Sequence, residues 1–505
     1  MSIQYKEKVG HMKRTLLLLL MIMTAFSVAA CGTIDNGSDD TTDGYDDNII
    51  NIYHMNDLHG ALTDEQGGMH MANVGNFLVD EKTNNPENTI IVAGGDMVQG
   101  TLLSNYFYGE NVVEVMDAVG FDAAAIGNHE FDWGLEKVTR YYQDTDEDVH
   151  RAEHPMLGAN VFYEGTETIP DGIEPYTILE RGEWEIGIIG TIGYGLESSI
   201  LAPMVEDYEF ADPVPVVEDH ARMLREEKDV DSVILITHDP GEADLGSDLN
   251  ASVAAFPEDA RVDAVFNGHR HYERIDWYGD MPTMESGDDG EYVGHVQLEM
   301  SEDGAVATYA ANLSQTDVSR FWERNEDVER LIEGYQEDIS HLFEPVTKAD
   351  SDASQYDLAE WMARLMMKGT EADIGIQNSG GTRTDYSAGE DISHARLYDA
   401  FPFDNTVVTV EVPGDVAAQV MDDNVYASNV DHIESDETYK VATNNYIFHH
   451  ERNELEQAGE NIIYKEAEMF EFAVGALEWM VDEYDSFDTG HTLNLGYYEE
   501  WVETD

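Results

Sequence analysis

Hydrophobic positions along the chain fall into two alternating rhythms. Short apolar runs at Ile49–Met55, Thr89–Ala93, Ala123–Ile126, Ile186–Thr191, Ser232–Thr237 and Ala264–Asn267 have the length of buried strands. Between them, Met71–Lys82, Val112–Val119 and Val214–Lys228 carry apolar residues at helical spacing. The alternation predicts an α/β layered domain with a largely buried sheet. Gly294–Glu299 and Val306–Ala311 read as antiparallel additions to it. Ser319–Phe343 reads as one charged amphipathic helix that ends near Pro345 and connects to a second globular unit. That unit has predicted strands at Ile374–Gln377, Thr406–Val412 and Tyr439–Asn444 and predicted helices at Leu358–Lys368 and Met469–Glu483. No repeat of fixed period interrupts this plan.

The N-terminus follows a different pattern. Lys6, Lys8, Lys13 and Arg14 precede an apolar run from Leu16 to Ala30 that ends in small residues, the layout of a secretory signal peptide. The run falls short of the roughly 20 residues a membrane span needs. It stops at Val28-Ala29-Ala30-Cys31, and Cys31 is the only cysteine of the 505 residues. This resembles a bacterial lipoprotein box, so Cys31 is expected to carry a lipid after cleavage. No disulfide is then possible in the mature chain, and stability must come from packing and bound metal. Thr33–Asn48, rich in Asp, Thr and Gly, reads as a flexible tether.

Charge adds a second constraint. Acidic residues number 105 against 26 basic ones, a formal net charge of −79. They are spread over both halves, which reads as a solvated surface suited to high salt, where screening shortens to about 3 Å at 1 M. A chain without a basic face is not expected to bind nucleic acid.

The chemistry lies at the strand ends. Asp57-Leu58-His59 follows the first predicted strand, Gly94-Gly95-Asp96 the second and Gly127-Asn128-His129-Glu130 the third. His238 ends a later strand, and Gly268-His269-Arg270-His271 follows the next. The C-terminal ends of strands are where ligand crevices of α/β sheets open. Imidazole and carboxylate together suit first-row divalent metals. The glycines are expected to supply positive-φ turns that aim these side chains out of the sheet.

The series Asp57-x-His59, Gly95-Asp96, Gly127-Asn128-His129-Glu130-Phe131-Asp132, His238 and Gly268-His269-x-His271 resembles the signature of calcineurin-like metallophosphoesterases, in the form seen in 5′-nucleotidases. The resemblance implies a four-layer α/β metallophosphoesterase domain followed by a smaller α/β substrate-binding domain. It implies two divalent ions, zinc, manganese or similar, one on Asp57, His59, Asp96 and His271 and the other on Asp96, Asn128, His238 and His269. Such a pair polarises a phosphoryl oxygen and lowers the pKa of a water between the ions, giving an attacking hydroxide. His129, oriented by Asp132, would stabilise charge developing at phosphorus.

The resemblance continues through the second unit. Asn378-Ser379-Gly380-Gly381-Thr382-Arg383 is similar to the family's glycine-rich segment ending in arginine, and Phe401-Pro402-Phe403-Asp404-Asn405 to its Pro-Phe-x-Asn segment. Tyr446 stands where the family places a second aromatic residue. By resemblance, Phe403 and Tyr446 would sandwich a nucleobase, with Asn378, Gly380, Gly381, Arg383 and Asn405 around it. The family's Gly-Gly-Asp-Gly loop is replaced here by Phe448-His449-His450-Glu451-Arg452-Asn453, where Glu451 could stand in for the aspartate.

The chain is thus expected to divide into a signal peptide (1–30), a lipidated tether (31–48), a metallophosphoesterase domain (49–315), a linker helix (316–345) and a 5′-nucleotidase C-terminal domain (346–505). The expected activity is extracellular hydrolysis of nucleoside 5′-phosphates by a protein anchored at the cell surface or periplasmic face. The alternatives are a 2′,3′-cyclic nucleotide phosphodiesterase, a UDP-sugar pyrophosphatase, or a non-catalytic metal- or nucleotide-binding lipoprotein.

Overall fold

The computed structural model describes residues 48–491 apart from 65–66, 144–148, 242–247, 303, 404 and 450–453. The signal segment, Cys31, Asp404 and Glu451 lie outside the described residues.

Residues 49–313 build two stacked sheets. One has seven strands in the order Gly304–Leu313, Val293–Ser301, Ile49–Met55, Thr89–Ala93, Ala123–Ala125, Met156–Leu157 and Ile173–Glu174. The other has six, in the order Glu273–Tyr278, Met281–Ser286, Ala264–Phe266, Ser232–His238, Trp184–Ile192 and Tyr176–Arg181. The strands from Ile49 to Ile173 in the first sheet run parallel, as do the four central strands of the second. The antiparallel additions expected after Gly294 are the hairpin Val293–Ser301 and Gly304–Leu313.

Period-two alternation sorts each strand between two cores. Ile50, Ile52, Ile90 and Val92 meet Ile188, Ile234, Ile236 and Phe266 between the sheets. On the outer faces, Tyr53 and Ile91 pack with helices Met71–Asn84 and Glu110–Val119, while Val233 and Leu235 pack with helix Pro213–Glu227. The result is the expected helix–sheet–sheet–helix stack, and its buried strands explain why their sequences read as unbroken apolar runs.

The connector departs from expectation. Instead of one helix over Ser319–Phe343, a 3-10 turn at Ser319–Trp322, a helix at Glu326–Asp338 and a second 3-10 turn at Ser340–Leu342 follow one another. Phe321 is fully buried, which fixes the first turn against the body. Asn325 then starts the helix afresh, its side chain accepting from the Asp327 and Val328 amides.

Beyond the connector, a five-stranded sheet runs in the order Val425–Ser428, Ile374–Gln377, Thr438–Asn444, Thr406–Pro413 and Glu460–Glu468. Helices Gln355–Gly369 and Met469–Tyr484 cover one face through Leu358, Trp361, Met362, Leu477 and Met480. Two buried amides of the first half hold this second half in place: Gln99 Nε2 donates to Pro402 O at 2.8 Å, and Asn105 Nδ2 to Tyr398 Oη at 2.8 Å and Pro402 O at 3.1 Å. The two bonds to Pro402 O land one residue before Phe403, whose ring lies 6.3 Å from that of His129 at a strand end of the first half.

Candidate active site

The five strand-end groups meet in one crevice. His59 Nε2 lies 3.1 Å from His271 Nε2, and both face Asp57 Oδ1, at 3.8 and 3.4 Å. His238 Nε2 lies 3.0 Å from Asp96 Oδ2 and 3.1 Å from Asn128 Oδ1, which is also 3.1 Å from His269 Nδ1. Asp57, His59 and His271 form one set whose ligand atoms all lie within 4.8 Å of one another, and Asp96, His238 and His269 form another.

These residues fit a metal on chemical grounds as well. Asp57 is fully buried, and its Oδ2 takes hydrogen bonds from the His269 amide (2.8 Å) and Asn56 Nδ2 (2.7 Å). Its Oδ1 accepts none, which leaves a buried anionic oxygen aimed at two imidazoles. Backbone carbonyls set two of the rings, with Gln99 O at 2.9 Å from His59 Nδ1 and Gly94 O at 2.9 Å from His238 Nδ1. Each of these contacts leaves Nε2 pointing into the crevice.

The glycines work differently from expectation. Positive φ falls on the candidate ligands themselves, at Asp57 (50°), His59 (50°), Asp96 (52°), His269 (89°) and His271 (59°). Of the strand-end glycines only Gly95 joins them, at 89°. Gly127 supplies room instead: a Cβ there would lie 2.2 Å from Asp96 Oδ1. Gly268 is equally confined, its Cβ position being 2.7 Å from Gly94 O. Backbone strain held at five converging side chains marks a site over-determined by its surroundings.

Charge follows from this crowding. Although burial opposes charging, Asp96 drives His238 up to about 10, and the Asp288 and Asp57 carboxylates do the same for His271. Burial wins at His59 and His269, which fall to about 4. His129 rises to about 9 because Asp132 and Asp96 outweigh its burial. Its Nδ1 is 2.7 Å from Asp132 Oδ2, and its Nε2 is 3.9 Å from Asp96 Oδ2. The distances also place His129 in a convergent set with His59 and Asp96.

Residues of the second half close the crevice into a cavity of about 450 Å³. Asn378, Gly380, Arg383, Phe403, Asn405 and Tyr446 all line it, together with His59, Asp96, Asn128, His129, Asp132, His269 and His271. Gly381 lies behind the wall, where a Cβ would meet Asn378 Oδ1 at 2.7 Å. The Arg383 guanidinium lies 5.1 Å over the Phe403 ring, and that ring is only 6.3 Å from the His129 ring. A second cavity of about 410 Å³ lies behind Arg383 and Phe403, lined also by His59, His271, Asp288, Asp289, Arg396 and Asp399.

Several contributors escaped the sequence reading. Trp133, Leu201 and Met204 give the main cavity an apolar wall on the metal side. Trp133 directly follows Asp132, but nothing in the local pattern marks Leu201 or Met204. Glu130 is buried and its carboxylate takes the amides of Asp96 (3.1 Å), Met97 (2.9 Å) and Gly127 (2.7 Å), tying two ligand loops together.

The model of the calcineurin-like phosphoesterases matches residues 50–273, and that of the 5′-nucleotidase C-terminal domain matches residues 338–432. The chain belongs to the metallophosphoesterases that carry a 5′-nucleotidase C-terminal domain. It is 25% identical to the cell wall protein Lmo0130 of Listeria monocytogenes over 72% of its own length and 54% of that protein's, so it spans about half of that relative. It is 24% identical to a 5′-nucleotidase of Vibrio cholerae over 82% of this chain and 84% of that one. Among solved structures, a 5′-nucleotidase precursor from Thermus thermophilus superposes with a TM-score of 0.70 at 18% identity, covering 88% of this chain and 98% of the other. Among the described residues, no helix is long and apolar enough to cross a membrane.

Proposed function

We propose that this protein is a metal-dependent phosphoesterase that releases phosphate from nucleoside 5′-phosphates. The observation that carries the reading is one cavity lined by five metal-type residues, His59, Asp96, Asn128, His269 and His271, by His129 with Asp132, and by Arg383, Phe403, Asn405 and Tyr446, with the fully buried Asp57 and His238 in contact with the same set. Asp57, His59, Asp96 and His271 would hold one divalent ion, and Asp96, Asn128, His238 and His269 the other, Asp96 being shared. When bound, such a pair supplies Lewis acidity toward a phosphoryl oxygen and lowers the pKa of water at the site.

The chain's own groups do the rest. His129, kept protonated by Asp132, presents an N–H toward the charge that develops on the phosphoryl oxygens. Arg383 offers a cation at the same wall, and the Phe403 and Tyr446 rings offer aromatic faces to a base. The apolar wall of Trp133, Leu201 and Met204 helps exclude water from the opposite side. A panel of AMP, ADP, ATP, UDP-glucose and 2′,3′-cyclic AMP tests the reading. AMP should be preferred, and full activity in chelated, metal-free protein would sink it.

The second cavity favours a second reading, hydrolysis of nucleotide diesters such as UDP-sugars, because it leaves polar room beyond His59 and His271. A higher kcat/KM for UDP-glucose than for AMP would select it. We further propose export through the segment 1–30, lipid anchoring on Cys31 over a tether to residue 48, domains at 49–315 and 346–505 joined by 316–345, and an acidic surface suited to high salt. Failure of Cys31→Ser to release the protein from membranes would remove the anchor. Unchanged stability from molar to millimolar salt would remove the salt adaptation.

A further inference from the structure

Three histidines of the crevice have their outward nitrogen or its equivalent fixed by a partner, and the partners differ in kind. His59 and His238 meet neutral backbone carbonyls. Of these three, only His271 has a carboxylate at Nδ1, Asp288 Oδ2 at 3.0 Å, while its Nε2 faces Asp57 Oδ1 at 3.4 Å and His59 Nε2 at 3.1 Å.

The turn that carries Asp288 is built onto the ligand loops. The Gly287 amide donates to Tyr272 O at 3.0 Å, one residue after His271. Gly287 O in turn accepts from Asn56 Nδ2 at 2.8 Å, and the same amide group donates to Asp57 Oδ2 at 2.7 Å. On the other side, the Asp289 amide donates to Asp57 O at 2.9 Å. Asp289 reaches that contact with φ of 48°, and Gly287 and Gly290 flank it at 68° and 78°. The carboxylate of Asp288 is therefore held from both sides by backbone that is itself bonded to Asp57 and to the neighbour of His271.

We infer that Asp288 is a positioning residue that orients His271 toward the first metal position and sets the affinity of that position. The inference rests on the reading of His271 as a ligand. A carboxylate behind a ligating imidazole fixes the ring's tautomer and angle and makes its free nitrogen a stronger donor to the metal. His271 and Asp288 are partly exposed, with side-chain exposures of 35% and 31%, so without this contact the ring has room to turn away. His238, with a side-chain exposure of 0%, has no such freedom, and its Nδ1 is fixed by the neutral Gly94 carbonyl rather than by a carboxylate. The two metal positions are consequently unequal: removing the Asp288 charge weakens the first and spares the second.

Calorimetric titration of the full chain, stripped with chelator and titrated with Mn²⁺, tests this without recourse to activity. Wild type should show two binding steps. Asp288→Asn should weaken one step by about 10–100-fold and leave the other within about twofold. Asp288→Glu, which keeps the carboxylate one methylene away, should fall between the two, and Glu291→Gln, which removes a nearby exposed charge without touching His271, should match wild type. Isotherms of Asp288→Asn that coincide with wild type overturn the inference. So does an equal weakening of both steps reproduced by Glu291→Gln, which would reduce Asp288 to one more surface charge. Wild type binding fewer than two ions would instead overturn the ligand reading on which the inference rests.

Discussion

The two halves of the cavity are built to different tolerances. On the proposed metal side, Asp57, Asp96 and His238 are at most 2% exposed, each at the end of a buried strand, and five candidate ligands are locked at positive φ. On the other side, Arg383 is exposed and Phe403 and Tyr446 are half-buried; Arg383 and Phe403 sit on loops, Tyr446 on the short helix Asn445–His449, and the Phe403 loop is held by hydrogen bonds from Gln99 and Asn105 to Pro402 O. Geometry that reaches the reacting atoms is thus set by close packing. Geometry that selects the substrate is set by contacts between elements distant in sequence. Disturbing the first side should abolish chemistry, whereas disturbing the second should change what is bound.

The strongest test of that division is Asp96→Asn. It removes the charge shared by both ion positions, so turnover should fall on the order of 10³-fold and metal content should drop below two equivalents, measured by elemental analysis. A variant that kept both ions would show that the crevice is less tightly specified than its packing implies.

His129→Asn should lower kcat by about 10²–10³-fold, the cost of losing one preorganised donor, with metal content unchanged. His59 and Asp96 lie close enough to His129 to make the outcome informative: loss of an ion would transfer His129 to the ligand set.

The metal side should also bind its ions in a pH-dependent way. In the metal-free protein His238 and His271 are raised to about 10, so both carry a proton through the neutral range. Each must give that proton up to ligate. Metal affinity should therefore rise with pH, by about tenfold per unit for each proton displaced, and binding should release protons to buffer. Affinity that is flat from pH 6 to pH 8 would contradict this.

The smallest effect is expected on the selecting side. Tyr446→Ala should raise KM for AMP by about tenfold, since a stacked base face gains roughly 1–3 kcal/mol. It should alter hydrolysis of a small aryl phosphate much less. Phe403→Ala sharpens the comparison, because its ring lies 6.3 Å from that of His129 and it should affect both substrates. Equal effects of Tyr446→Ala on AMP and aryl phosphate would end the nucleotide assignment.

What the sequence determined by itself follows from local physics. A strand buried on both faces writes an apolar run, and a polar residue placed just after it can only point into the crevice at the strand end. For that reason the convergence of Asp57, His59, Asp96, Asn128, His238, His269 and His271 was legible, as were the strand Ile49–Met55 and its neighbour Thr89–Ala93. The connector was misread because helical spacing alone cannot show that Phe321 is buried and Asn325 starts a new helix. The positive φ of the ligands was misassigned to glycines, since strain is paid for by tertiary contacts that no local pattern records. Tertiary structure alone decided that Leu201 and Met204 wall the cavity, that Gln99 grips Pro402, and that Asp288 stands behind His271. Each depends on residues far apart in the chain meeting at one point, and no local periodicity encodes such a meeting.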